Sequence, residues 1–196
     1  LYSRFSLFPM SLPFSTYTVE SVTSGHPDKV CDQISDAILD AYLKEDSHSR
    51  VAVESFGSHG LIVIGGEVTS AGNVDVEAVA RRVYQDIGYT ETPQIIVHLA
   101  KQSPDIAQGV NPGGAGDQGI MYGFACDETP ELLPRAVVLA HALARGLERL
   151  RREHPSCDWL RPDGKTQVTM RDGRVATVLV STQHDANVSQ ETIRET

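Results

Sequence analysis

Residues 27–68 read PDKVCDQISDAILDAYLKEDSHSRVAVESFGSHGLIVIGGEV. Val30, Ile34, Ile38 and Ala41 recur at three- and four-residue steps, which predicts a helix from Pro27 to about Lys44 with one buried face. Arg50 to Phe56 then alternates apolar and polar residues, and Gly60 to Val68 is an apolar run rich in β-branched residues. Both read as strands. A helix followed by a strand pair points to an α+β fold, repeated layers with helices packed on one face of mixed sheets.

Further along, Asn73 is the expected cap of a second helix carrying Val76, Val79, Ala80, Val83 and Ile87 on one face, and Gly88 ends it. Gln94 to Ala100 reads as a third strand, and a loop rich in Gly, Pro, Asn and Asp spans Lys101 to Gly119. Gly119 to Cys126 is a possible strand. Pro130 to Glu153 reads as a long helix with Leu133, Val137, Ala140, Ala144 and Leu147 facing inward. Strands at Lys165–Met170 and Arg174–Ser181 flank Asp172-Gly173, a strong hairpin signal. The segments divide as 1–16, a leader or disordered extension; 17–105, the first α+β segment; 106–126, a loop and strand segment; and 127–196, a second, incomplete α+β segment.

The 196 residues carry 26 acidic and 17 basic side chains, a formal charge of −9. That balance disfavours general binding to nucleic acid or acidic membranes. An anionic ligand would need a local cluster of cations or metal ions. Cys31, Cys126 and Cys157 are too few and too scattered for a zinc site or disulfide framework, so reduced thiols in a cytoplasmic protein are expected. The leader LYSRFSLFPMSLPFSTY lacks the hydrophobic core and cleavage pattern of a signal peptide.

The start of the first helix poses a chemical question. In SVTSGHPDKVCDQ (residues 21–33), proline and an acidic residue suit a helix N-terminus, but Lys29 does not. One reading is punctuation. The other is an anion site, in which backbone N–H groups, His26 and Lys29 face a phosphate and Asp28 holds a cation. No GxxxxGK[ST] is present, and Gly114–Gly119 matches GxGxxG literally but lacks the preceding strand and following helix of a dinucleotide site. Glu67 ends an apolar strand beside two glycines, where backbone can approach a ligand. Glu54 lies in an alternating strand and Asp163 and Lys165 flank a glycine turn, positions that an exposed strand face and a simple turn would explain as well.

Taken together, ESVTSGHPDKVCDQISDAILDA, GGEVT, KQSPDIAQGV, GAGDQG with IMYGFACDET, LRPDGKTQVT and VLVSTQH resemble the S-adenosylmethionine synthetase family, the methionine adenosyltransferases. The resemblance runs in order from about Tyr17 to His184 and favours the phosphate reading of the opening motif. It implies transfer of the adenosyl group of ATP to methionine, with release and hydrolysis of triphosphate. It implies His26, Lys29 and Lys165 at the phosphates, and Asp163, Ser181 and Gln183 on the adenosine side. Glu67, Gln102 and Asp117 would hold methionine. Asp28 would bind one of two magnesium ions and Glu54 potassium. A homodimer or tetramer with the active site between subunits is implied, in the cytoplasm.

Two departures qualify this. The loop between Val110 and Gly114 is shorter than in many members, and the chain stops about midway through the family pattern, before its later phosphate-binding segment. The isolated 196-residue chain is therefore expected to be inactive. A non-catalytic truncated paralogue that associates with a full-length subunit is the rival reading; a generic magnesium-dependent triphosphatase would leave Glu67, Gln102 and Asp117 without a shared purpose.

Overall fold

The computed structural model describes residues 15–103, 108, 113–114 and 118–195. Two three-stranded sheets each carry helices on one face. The first sheet has the order β1-β5-β6, with β1 at Thr16–Val22, β5 at Leu160–Arg171 and β6 at Arg174–His184, all antiparallel. The second has the order β2-β3-β4, with β2 at Arg50–Ser58, β3 at Leu61–Thr69 and β4 at Gln94–Lys101. There β2 and β3 form a hairpin, and β3 pairs parallel with β4. Parallel neighbours need a crossover, which α2 at Val76–Ile87 supplies.

Helix α1, Pro27–Glu45, buries Val30, Ile34 and Ile38 against Val53 of β2, Ile62 and Ile64 of β3, and Val76, Val79, Ala80 and Ile87 of α2. The expected apolar face of α1 is thus the observed one. Helix α2 ends where Gly88 takes φ 116°, a left-handed conformation costly for other residues. Its N-cap is Asp75, not Asn73: the Asp75 carboxylate accepts from the Ala78 N–H at 3.0 Å. An aspartate there adds negative charge at the positive end of the helix dipole.

Helix α3, Arg135–Glu153, starts five residues later than Pro130, because Pro134 takes the N-cap in an extended conformation. Leu133 therefore falls outside the helix and is exposed. The buried stripe is Ala136, Ala140 and Ala144, small side chains that let α3 lie close on β1 and β5. Val168 and Met170 of β5 complete this second core, with Tyr17, Val19, Leu139 and Leu143 packed around it. Residues 118–126 form no strand, and no strand among the described residues pairs with them. The two hairpin turns share a geometry. His59 and Gly60 have φ 46° and 75°, and Asp172 and Gly173 have 49° and 74°, the paired positive angles of a type I′ turn. A short helix α4 covers Gln190–Glu195.

Candidate active site

Strand β1 runs into the HPDK segment, and β5 carries PDGK. Val22 lies opposite Lys165 in the ladder, so the antiparallel register brings the two segments together. Beyond the ladder the Thr23 N–H donates to the Gly164 carbonyl at 2.9 Å. The buried Thr23 hydroxyl donates to Pro162 O at 2.7 Å, with Gly164 O at 3.3 Å. Gly25 follows, so close to Pro162 that a Cβ would stand 2.5 Å from its carbonyl oxygen. No larger residue fits there without moving backbone.

His26 is the N-cap of α1, with Pro27 in the first turn behind it. Its Nδ1 accepts from the Asp28 N–H at 3.3 Å. In the neutral ring, an accepting Nδ1 leaves the proton on Nε2, where it can be donated to a ligand. The Asp28 carboxylate lies 3.7 Å from the same ring nitrogen and is 88% exposed, free to take a metal ion.

Asp163, Gly164 and Lys165 lie within β5 and form no turn, and there Lys165 Nζ lies 3.2 Å from Glu20 Oε2 while Gln167 donates to Glu20 Oε1 at 2.8 Å. These contacts, Gln167 first, hold the Glu20 carboxyl below its usual range. Asp163 behaves oppositely. Burial pushes its carboxyl up, and the charges of His26 and Lys165 and the Gly164 amide offset this only partly. The Asp163 N–H reaches Gln183 Oε1 at 3.4 Å, and Ser181 stands opposite Lys165 in the β5–β6 ladder. His26, Asp28, Asp163, Lys165, Ser181 and Gln183 thus cluster where β1, α1, β5 and β6 meet.

Glu54, Glu67 and Gln102 belong to the other sheet. Glu54 lies opposite Gly65 and Glu67 opposite Ala52, so both carboxylates project from the sheet face away from α1 and α2, one diagonal step apart. Gln102 follows the end of β4, and its Oε1 is buried with no hydrogen-bond partner among the described residues. Among the described residues, no hydrogen bond or ion pair joins this group to the first. Lys29 stands apart from Lys165: it pairs with Asp32 at 3.2 Å and lines a cleft of about 410 Å³ together with Glu54. Asp117 lies outside the described residues.

No group of three or more His, Cys, Asp or Glu side chains converges among the described residues. A lone exposed carboxylate fits magnesium, which keeps several waters and uses one or two carboxylates plus substrate phosphates. Sequence reasoning passed over Glu20, Thr23 and Tyr89. The alternation Thr18, Glu20, Val22 could have placed Glu20 on the Lys165 face, but nothing in the sequence names the partner strand.

Residues 15–105 match the family model described as S-adenosylmethionine synthetase, N-terminal domain. Residues 112–196 match S-adenosylmethionine synthetase, central domain. This chain belongs to the S-adenosylmethionine synthetase family. It is 50% identical over 197 residues to the S-adenosylmethionine synthase of Salinibacter ruber (strain DSM 13855 / M31), an alignment covering 91% of this chain and 51% of that protein. The S-adenosylmethionine synthase of Roseiflexus castenholzii (strain DSM 13941 / HLO8) is 48% identical over 216 residues, covering 94% of this chain and 53% of its own length. The chain therefore spans about half the length of the curated relatives it matches. Its α+β architecture is consistent with the synthetase fold. Among the described residues, no helix is long and apolar enough to cross a membrane.

Proposed function

We propose that the intact protein is a methionine adenosyltransferase that makes S-adenosylmethionine from ATP and L-methionine, then hydrolyses the released triphosphate to pyrophosphate and phosphate. The observation that carries this reading is the locking of the HPDK and PDGK segments by Thr23, Gly25, Pro162 and Gly164, which gathers His26, Asp163 and Lys165 at one junction.

In the reaction the methionine sulfur forms a bond to C5′ while the C5′–O bond breaks, and its electron pair leaves with the triphosphate. The barrier is lowered by donors already aimed at the developing charge. His26 Nε2–H donates to the departing oxygen, and the Lys165 ammonium faces the phosphates. Lys29 would join them only by leaving its pair with Asp32. Asp163 accepts from the ribose hydroxyls, and Ser181 and Gln183 lie toward adenine. Glu67 and the unpartnered Gln102 carbonyl suit a methionine ammonium, with Asp117 beside them. Asp28 would hold one of two Mg²⁺ ions, which when bound would supply positive charge to the triphosphate, and Glu54 would hold K⁺.

The separation of the two groups supports a homodimer or tetramer in which one subunit supplies the phosphate group and its partner the methionine group. Phe56 and Ile96, 63% and 44% exposed on the same sheet face as Glu54 and Glu67, are an apolar surface suited to such contact. Free Cys31, Cys126 and Cys157 support a cytoplasmic setting. The segment limits proposed are 17–105, 106–126 and 127–196.

The test is product formation by the intact protein from ATP, methionine, Mg²⁺ and K⁺. His26→Ala is expected to lower turnover by about 100- to 1000-fold, the range for removing one preorganised donor. Turnover close to wild type in that variant would refute the assignment.

A further inference from the structure

We infer that Tyr89 is a positioning residue for His26, acting through the peptide unit that joins Gly25 to His26. The inference rests on the phosphate role proposed for His26. Tyr89 directly follows Gly88, the left-handed cap of α2, and its hydroxyl donates to the Gly25 carbonyl at 2.6 Å. The Gly25 carbonyl and the His26 N–H belong to one planar unit. Its other end is held by the His26 N–H, which donates to Thr23 O at 3.2 Å. Two hydrogen bonds thus pin both ends of the plane that leads into the His26 ring, just where Gly25 packs on Pro162.

The tyrosine is itself braced. Its ring stacks on Tyr84 with centroids 4.5 Å apart and planes 13° apart. The α2 terminus that carries it is tied to α3, where Arg151 donates to the Ile87 carbonyl at 2.8 Å and pairs with Glu148 at 2.5 Å. Tyr89 also lines a cleft of about 430 Å³ with Gly25, Pro27, Asp163 and Gln183, so it borders the junction that holds His26. Burial, with the Asp163 charge, pushes the Tyr89 hydroxyl far above its usual range, which keeps it a donor throughout neutral pH. The route Glu148–Arg151–α2–Tyr89–Gly25–His26 connects the α3 layer to the ring that would face the triphosphate.

The test is binding of Mg²⁺-tripolyphosphate to the intact protein by titration calorimetry, with Tyr89→Phe, His26→Ala and Val79→Ala compared to wild type. Tyr89→Phe keeps the stacked ring and removes the one hydroxyl. It is expected to weaken binding by about 2- to 10-fold, the range of one net hydrogen bond, and to speed amide exchange at His26 relative to the strand amides. Val79→Ala loosens the same core and is expected to leave the affinity unchanged. Wild-type affinity in Tyr89→Phe alongside weak binding in His26→Ala would overturn this inference and leave the functional reading intact. An equal loss in Val79→Ala would also overturn it, since the effect would then be general destabilisation. Wild-type affinity in His26→Ala would remove the functional reading, and the inference with it.

Discussion

Replacing Gly25 by alanine sets two effects of opposite sign against each other. Gly→Ala at a position whose backbone angles suit alanine stabilises by about 0.4–1 kcal/mol, because the unfolded chain has fewer conformations to lose. Gly25 is not among the glycines with positive φ, so this gain is in principle open to it. The packing says otherwise. The new methyl would stand 2.5 Å from Pro162 O and closer still to the carbonyl carbon and Cβ of that residue. Most of these are backbone atoms of β5, held by Thr23, and cannot rotate away. Overpacking of this kind costs about 1–3 kcal/mol, more where backbone must move. The net expectation is destabilisation by about 1–2 kcal/mol. Gly146, inside α3 with open space around its would-be Cβ, is the control: its alanine variant is expected to stabilise by about 0.5–1 kcal/mol. Urea midpoints at constant m-value report both. A Gly25→Ala protein as stable as wild type, or more so, would refute the claim that the HPDK and PDGK segments pack backbone to backbone.

Thr23→Val keeps the volume but leaves the Pro162 carbonyl without its 2.7 Å donor; a loss of about 1–3 kcal/mol by urea denaturation is expected. Burial alone would raise the Glu148 carboxyl, but its bonds from Arg152 and Arg151 outweigh that and lower it. A lowered acid contributes stability present above its ordinary value of 4.5 and lost as pH falls through the folded value. Glu148→Gln should therefore flatten the acid limb of a melting-temperature profile. Asp163 is raised, so its charge disfavours folding once pH exceeds the ordinary 3.8, and the neutral isostere Asp163→Asn should melt higher at pH 7 while binding ATP more weakly. Melting scans and nucleotide titration on the same sample check both halves of that statement.

What the sequence disclosed was mainly local. The buried face of α1, the Gly88 stop and the Asp172-Gly173 turn follow from patterns a few residues long, and each is observed. The cap of α2 moved from Asn73 to Asp75 because both are capping residues and only the contact to Ala78 distinguishes them. The start of α3 shifted because Pro130 and Pro134 can both open a helix. Pairing was illegible. Alternation in β1 marks a strand with two faces but not its partner, so the Lys165–Glu20 contact had no precursor in the residues alone. The candidate site residues came from the motif pattern, and their division between two sheets became visible only with the register in hand.

That division has a temporal side. The sheet containing β2, β3 and β4, with α1 and α2, draws on residues 27–101 and can close as soon as that stretch is available. The other sheet cannot begin, because Val22 waits for Lys165, 143 positions downstream. At synthesis rates of roughly 5–20 residues per second, that wait is about 7 to 30 s. During it the N-terminal strand has a finished neighbour but no ladder. His26, anchored on one side by Tyr89, gains its second wall only when PDGK emerges. The corner that holds His26 can thus close only after Lys165 has emerged, well after the histidine itself has been made.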